Sequence, residues 1–87
     1  MLMYIYTIRD SAAALYGRPF YVQGPAVAVR SFTDEVNKAE PQNDLFNHPE
    51  DFELFELGTY NDATAVFELY SQPKPLCTAK QVFKKIS

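Results

Sequence analysis

The sequence predicts one small α+β domain over residues 1–87: a mainly antiparallel sheet of four to five strands with two or three short helices. Three observations lead there. Strand-like runs rich in β-branched and aromatic residues recur at residues 3–8, 52–57 and 65–70. Short segments with helix-start and helix-stop chemistry lie between and after them. At 87 residues, 47% apolar and 15% aromatic, the chain has material for one hydrophobic core and not for two.

Residues 3–8 alternate aromatic and aliphatic side chains with both faces apolar, the mark of a central strand. Asp10 or Ser11 is placed to cap a helical turn through Ala12–Ala13–Ala14–Leu15, with Gly17 as a left-handed stop. Residues 19–23 read as extended, Gly24-Pro25 as a turn, and residues 26–32 as a returning strand, because Val27 and Val29 alternate with Ala28 and Arg30. Ser31 with Asp34 resembles a capping box, opening a helix of fewer than ten residues that ends before Pro41. Residues 41–47 are loop-like, and Pro49-Glu50-Asp51 suits one helical turn with acids near its positive end. Residues 52–57 and 65–70 form a hairpin with Gly58, Asn61 and Asp62 in the connection, after which Pro73 and Pro75 interrupt the ladder. Thr78 with Gln81 caps a last short helix carrying Val82, Phe83 and Ile86.

Net charge is −3, but it is partitioned. Residues 1–33 carry Arg9, Arg18 and Arg30 against Asp10, residues 34–68 carry ten acids against Lys38, and residues 69–87 carry four lysines and no acid. The order is basic, acidic, basic. Cys77 is the single cysteine, which excludes an internal disulfide framework and argues against a multi-cysteine zinc site. A reducing compartment is expected. With no charged leader before an apolar run, and no run near the ~20 residues that span a bilayer, neither secretion nor membrane insertion is expected.

Catalytic ingredients are thin, and no enzyme is expected. His48, beside Pro49, reads as a local capping or packing group ahead of a general base, and Cys77, after Pro75-Leu76, as a small apolar core residue ahead of a nucleophile. Glu50, Asp51, Glu53 and Glu56 lack the glycine and ligand spacing of a calcium loop and read as a solvated acidic face. Three glycines, Gly17, Gly24 and Gly58, cannot build a phosphate-cradling motif, so no cofactor is expected. The first third is richer. Arg9, Arg18 and Arg30 are interleaved with Tyr16, Phe20 and Tyr21, a composition that holds single strands by stacking bases and following phosphates. The same rings are needed to fill a tryptophan-free core and the same arginines can pair with the acids, so both readings stand open at this point.

Several segments together resemble the small nonstructural proteins of gokushovirus-type microviruses, phages with single-stranded DNA genomes. They are Arg9-Asp10, Tyr16-Gly17-Arg18-Pro19-Phe20, Ala28-Val29-Arg30-Ser31-Phe32-Thr33-Asp34-Glu35-Val36-Asn37, His48-Pro49-Glu50-Asp51-Phe52-Glu53-Leu54 and Leu57-Gly58-Thr59-Tyr60-Asn61-Asp62, within a similarity over about residues 4–76. The resemblance implies a non-virion protein of the infected bacterial cytoplasm acting in viral DNA synthesis, at the switch to single-stranded genome production. It carries over no catalytic or ligand residues.

Two modes of action follow. In one, Arg9, Arg18, Arg30, Tyr16, Phe20 and Tyr21 bind single-stranded DNA. In the other, Glu50, Asp51, Glu53 and Glu56 dock on the phage replication initiator or a host replication protein, as an acidic adaptor or DNA mimic. Strand edges and surface aromatics also suggest a homodimer.

Overall fold

The apolar run near the start of the chain becomes the middle of the sheet. In the computed structural model, which describes residues 1–84, β1 (Leu2–Asp10) has strands on both flanks. On one side lie β2 (Leu15–Tyr16) and β3 (Phe20–Val22), two pieces of a single returning segment. On the other lies β4 (Phe52–Asn61), which continues through a hairpin into β5 (Val66–Thr78), the outer strand. All pairings are antiparallel. The α+β class with a five-stranded sheet is as the sequence predicts.

The helices are α1 (Pro25–Val36), α2 (Asp44–Asn47) and α3 (Ala79–Val82), with a 3-10 turn at Pro49–Asp51. Here the structure corrects the expected second hairpin. Residues 26–32 are helical, and α1 is 12 residues long, not under ten. Val27 and Val29 suggest alternation, yet Ala28, Phe32 and Val36 recur every four residues and are the three fully buried side chains of the helix. A helix buries all three against the sheet, whereas a strand would divide Ala28 and Phe32 from the valines and leave Arg30 facing the core. Gly24-Pro25 is accordingly a helix start with proline in its first turn. Ser31 and Asp34 lie mid-helix, exposed, and cap nothing.

Other local signals act as read, with shifted details. Asp10 Oδ1 accepts from the Ala12 and Ala13 amides at 3.0 and 3.3 Å, but it closes a tight turn over residues 11–14 and not a helical turn through Leu15, which already belongs to β2; the left-handed residue is Ala14, φ 56°, not Gly17. Residues 44–47 are a helical turn, not loop, because Asn43 caps them by accepting from Leu45 N while its amide donates to the Glu35 and Lys38 carbonyls. The Thr78–Gln81 capping box is complete and opens α3, which ends at Val82; Ile86 lies outside the described residues. Asn37, past the end of α1, donates to Val82 O at 3.0 Å and accepts from Lys84 N at 2.6 Å, tying the two helix ends together.

All three helices share one face of the sheet. Tyr6 of β1 and Leu54 of β4 form the core with Ala28, Phe32, Val36 and Ala79, and Tyr4, Ile8, Leu45 and Phe83 pack around them. One polar group enters this layer. Glu56, 4% exposed, accepts a hydrogen bond from the Tyr6 hydroxyl at 2.7 Å on one carboxylate oxygen and from the Tyr70 hydroxyl on the other. Burial, and then the bond to Glu56, pushes the Tyr6 hydroxyl well above its ordinary 10.0. For Tyr70 the bond to Glu56 leads, with burial second, and its hydroxyl is pushed up to about 12.

Just past Glu56 the ladders change register. Tyr6 pairs with Glu56 and Ile5 with Gly58, so Leu57 is an extra residue in β4. Across the hairpin Glu56 pairs with Lys74 and Gly58 with Leu69, which leaves residues 70–73 of β5 as a wider excursion. The prolines are accommodated at such irregularities, and the strand resumes to Thr78. Gly58 is in the strand, not the connection. Its φ is +152°, and a Cβ there would lie 2.2 Å from Glu68 O and 2.7 Å from Leu69 Cα.

Gly58→Ala is therefore expected to lower stability by about 2 kcal/mol or more, read as a fall in the urea midpoint, because backbone must move to admit the methyl. Tyr6→Phe leaves a buried carboxylate short of a donor and is expected to lower stability by about 1.5–3 kcal/mol. Both hydroxyls hold their protons more tightly folded than unfolded, so their contribution is intact below pH 10 and is progressively lost as pH rises above it. The urea midpoint should fall between pH 9 and 11, and fall less in a Tyr6→Phe/Tyr70→Phe variant. An equal fall in both would place the titrating groups elsewhere.

Candidate nucleic-acid interface

The face of the sheet opposite the helices carries the odd-numbered side chains of β1. Ile5 and Thr7 on it are 3% and 2% exposed although no described helix covers them. Aromatic rings of the neighbouring strands shelter them instead. Tyr21 is the cross-strand partner of Ile5, Tyr60 that of Met3, Phe55 that of Thr7 and Tyr16 that of Arg9, which sets all four rings on this face. Phe67, partner of Tyr60, continues the row onto β5. Tyr60 contacts Phe67 and Tyr21 at centroid distances of 4.6 and 6.1 Å, and Tyr16 meets Phe55 edge-on at 5.6 Å. The Arg9 guanidinium lies over the Tyr16 ring at 5.7 Å. Tyr16, Tyr21 and Phe67 remain about half exposed, so the rings cover the strand beneath and keep surface for a ligand.

Two one-residue insertions build this face. Phe55 and Tyr60 are five residues apart and would point to opposite sides of a regular strand, but the extra Leu57 brings them to the same side. Tyr16 and Tyr21, also five apart, stand opposite β1 residues four apart, and the break at residues 17–19 absorbs the difference. Gly17 secures that break: its amide donates to Ile8 O at 2.8 Å and its carbonyl accepts from Thr7 Oγ1 at 2.8 Å.

Of the residues singled out in the sequence, Arg9, Tyr16 and Tyr21 come together here. Phe20 turns to the other face and packs on Tyr6 at 6.0 Å. Arg18 is exposed in the break between β2 and β3, and Arg30 is exposed on α1, in the opposite layer. The three arginines thus share no surface. Phe55, Tyr60 and Phe67 were not singled out. Their aromatic character on hairpin strands was a signal, but their common side depends on the Leu57 insertion.

The acids divide as well. Glu50, Asp51 and Glu53 line one cleft of about 60 Å³ with Arg9, while Glu56 is committed inside the sheet and presents nothing to a partner. His48, Glu50 and Asp51 set ligand atoms within 4.8 Å of one another, with His48 Nδ1 3.8 Å from Glu50 Oε1, and His48 and Glu50 are exposed as a solvated acidic turn would be. Cys77 is half-buried against the core, where burial and then the Glu53 charge push its thiol up, away from a reactive thiolate.

Comparison with curated proteins and with solved structures returns no match. The sequence profile of the phage ORF5 proteins matches residues 3–82, from β1 through α3. Every strand and helix described above falls within or across that span, and the chain belongs to the phage ORF5 protein family.

Proposed function

We propose that this phage protein binds single-stranded DNA on the aromatic face of its sheet, in the bacterial cytoplasm and outside the virion, during the synthesis of single-stranded viral genomes. It acts by binding and not by catalysis. The observation that carries the reading is the row Tyr21–Tyr60–Phe67 beside the Arg9–Tyr16–Phe55 group: five rings on one face of the sheet, three of them about half exposed and one under a guanidinium. Every base has a π face, so such a row holds a strand without reading its sequence, at about 1–3 kcal/mol per stacked base.

Charge contributes little to this mode. Arg9 shares a cleft with Glu50, Asp51 and Glu53, Arg30 is on the far layer, and the chain is net −3. With Arg9 and Arg18 as the phosphate contacts, the affinity should fall only about sevenfold between 50 and 200 mM salt. Fluorescence anisotropy with a labelled oligonucleotide is expected to give micromolar binding with that shallow slope. Tyr16→Ala and Phe67→Ala should each weaken binding about fivefold or more and Arg30→Gln should leave it unchanged. Full affinity in the Tyr16→Ala/Phe67→Ala double variant, or a steep salt slope, would reject the stacking face.

The gathering of Glu50, Asp51 and Glu53 in one cleft favours a second reading, an acidic adaptor for the replication initiator. Nuclease-resistant capture of the phage initiator by the wild-type chain, lost in Glu50→Lys/Glu53→Lys, is its expected signature. Capture that disappears on nuclease treatment would return the interaction to DNA.

A further inference from the structure

The two borders of the sheet are built differently. The border beyond β1 is short and broken, with strands of two and three residues separated by Gly17, Arg18 and Pro19, which is how a protein keeps an edge from recruiting other strands. The border beyond β4 is β5, 13 residues long, and no described strand pairs with its outer side. From Val66 to Leu69 it keeps regular register with β4 before the excursion at residues 70–73, and its large side chains Val66, Phe67, Leu69 and Tyr70 are 50, 53, 64 and 42% exposed. Glu68 is the single charge between Asp62 and Lys74, and the first proline is Pro73. Apart from Glu68, the straight part of the edge carries none of these protective devices.

We propose that two copies of this chain join through β5, antiparallel about a two-fold axis at Leu69, to make one continuous sheet. The occupant is a second copy because the strand complements itself. Within the straight part, centring the axis on Glu68 sets that carboxylate against its own copy, which is destabilising. Centring it one residue on, at Leu69, sets Leu69 on the partner's Leu69, Glu68 beside the partner's Tyr70 and Val66 beside the partner's Gln72. Lys74 then lies opposite the partner's Thr64 in the hairpin turn, so no like charges meet along the pairing. The side chains gathered bury on the order of 500 Å² per protomer besides the backbone edge, near the low end of specific interfaces, which fits a dimer of micromolar rather than nanomolar affinity.

Such an axis stands perpendicular to the sheet, so like faces join. Phe67 and Leu69 lie on the aromatic face, so the row Tyr21–Tyr60–Phe67 and the partner's row lie on the same side of the joined sheet, offset along the strands by four residues, about 13 Å. The proposal rests on the strand edge and not on the DNA reading. It adds that the binding face is doubled in the assembly.

Sedimentation equilibrium of the full chain between about 2 and 200 μM, without DNA, tests it. Wild type is expected to shift from monomer to dimer across that range, and Leu69→Lys to remain monomeric with an unchanged circular dichroism spectrum. In a Cys77→Ala background, Leu69→Cys should form a disulfide-linked dimer under mild oxidation at least tenfold faster than Glu68→Cys, because only residues at the axis face their own copies within disulfide reach. A wild-type chain monomeric at 200 μM, a dimer unaffected by Leu69→Lys, or equal cross-linking at the two positions would overturn it. A dimer that forms as described but ignores oligonucleotides would count against the stacking face alone.

Discussion

The rest of the structure depends on a carboxylate held inside the sheet. The two oxygens of Glu56 accept from Tyr6 of β1 and Tyr70 of β5, so one side chain ties three strands. A buried charge left short of a partner is costly enough that the alternatives are strongly disfavoured. Slipping β4 by one residue would turn Glu56 to the other face and break both bonds. The register around Glu56 is therefore pinned, and the irregularity falls immediately beyond it, at Leu57 on β4 and at residues 70–73 on β5. Gly58 follows because the strands approach there more closely than a Cβ permits.

From that irregularity comes the aromatic face. Leu57 rephases Tyr60 to the side of Phe55, and the break at residues 17–19 rephases Tyr21 to the side of Tyr16. Insertions on both flanks of β1 act in the same sense, and the rings meet over Ile5 and Thr7. Helices of 12, 4 and 4 residues, those among the described residues, cover one face of the sheet and leave the other without a helix. The face without helices is closed by rings instead, and rings that cover a strand without being covered themselves are what a stacking ligand requires.

How much of this the sequence reveals depends on the range of the interaction. The central strand, the Asp10 cap and the Thr78–Gln81 capping box are legible because each is written in adjacent residues. Residues 26–32 are misread because valines at 27 and 29 satisfy a period of two while Ala28, Phe32 and Val36 satisfy a helical period, and the choice is made by the sheet that buries the second set. Segment charge, clear in the sequence, does not become two opposed surfaces, since Arg9 joins the acidic cleft and Arg30 goes to the helical layer. Half of the aromatic site, Phe55, Tyr60 and Phe67, waits on a one-residue insertion that no local signal announces.

Edge and face are connected by the same economy. In the hairpin of β4 and β5, Val66 to Leu69 have β4 on one side and no described strand on the other. A strand can be left apolar on both faces only if something covers it for part of its working life. The aromatic row runs onto this strand through Phe67, so whatever pairs with β5 also sets where the row ends. In a lone chain it stops at an open border after three rings. In a symmetric pair the partner's row lies on the same face, offset along the strands, and a nucleic-acid strand held weakly by one short row meets two rows fixed relative to each other. Linked weak contacts of that kind gain affinity through effective concentration without any added positive charge, which a chain of net −3 does not have to spare.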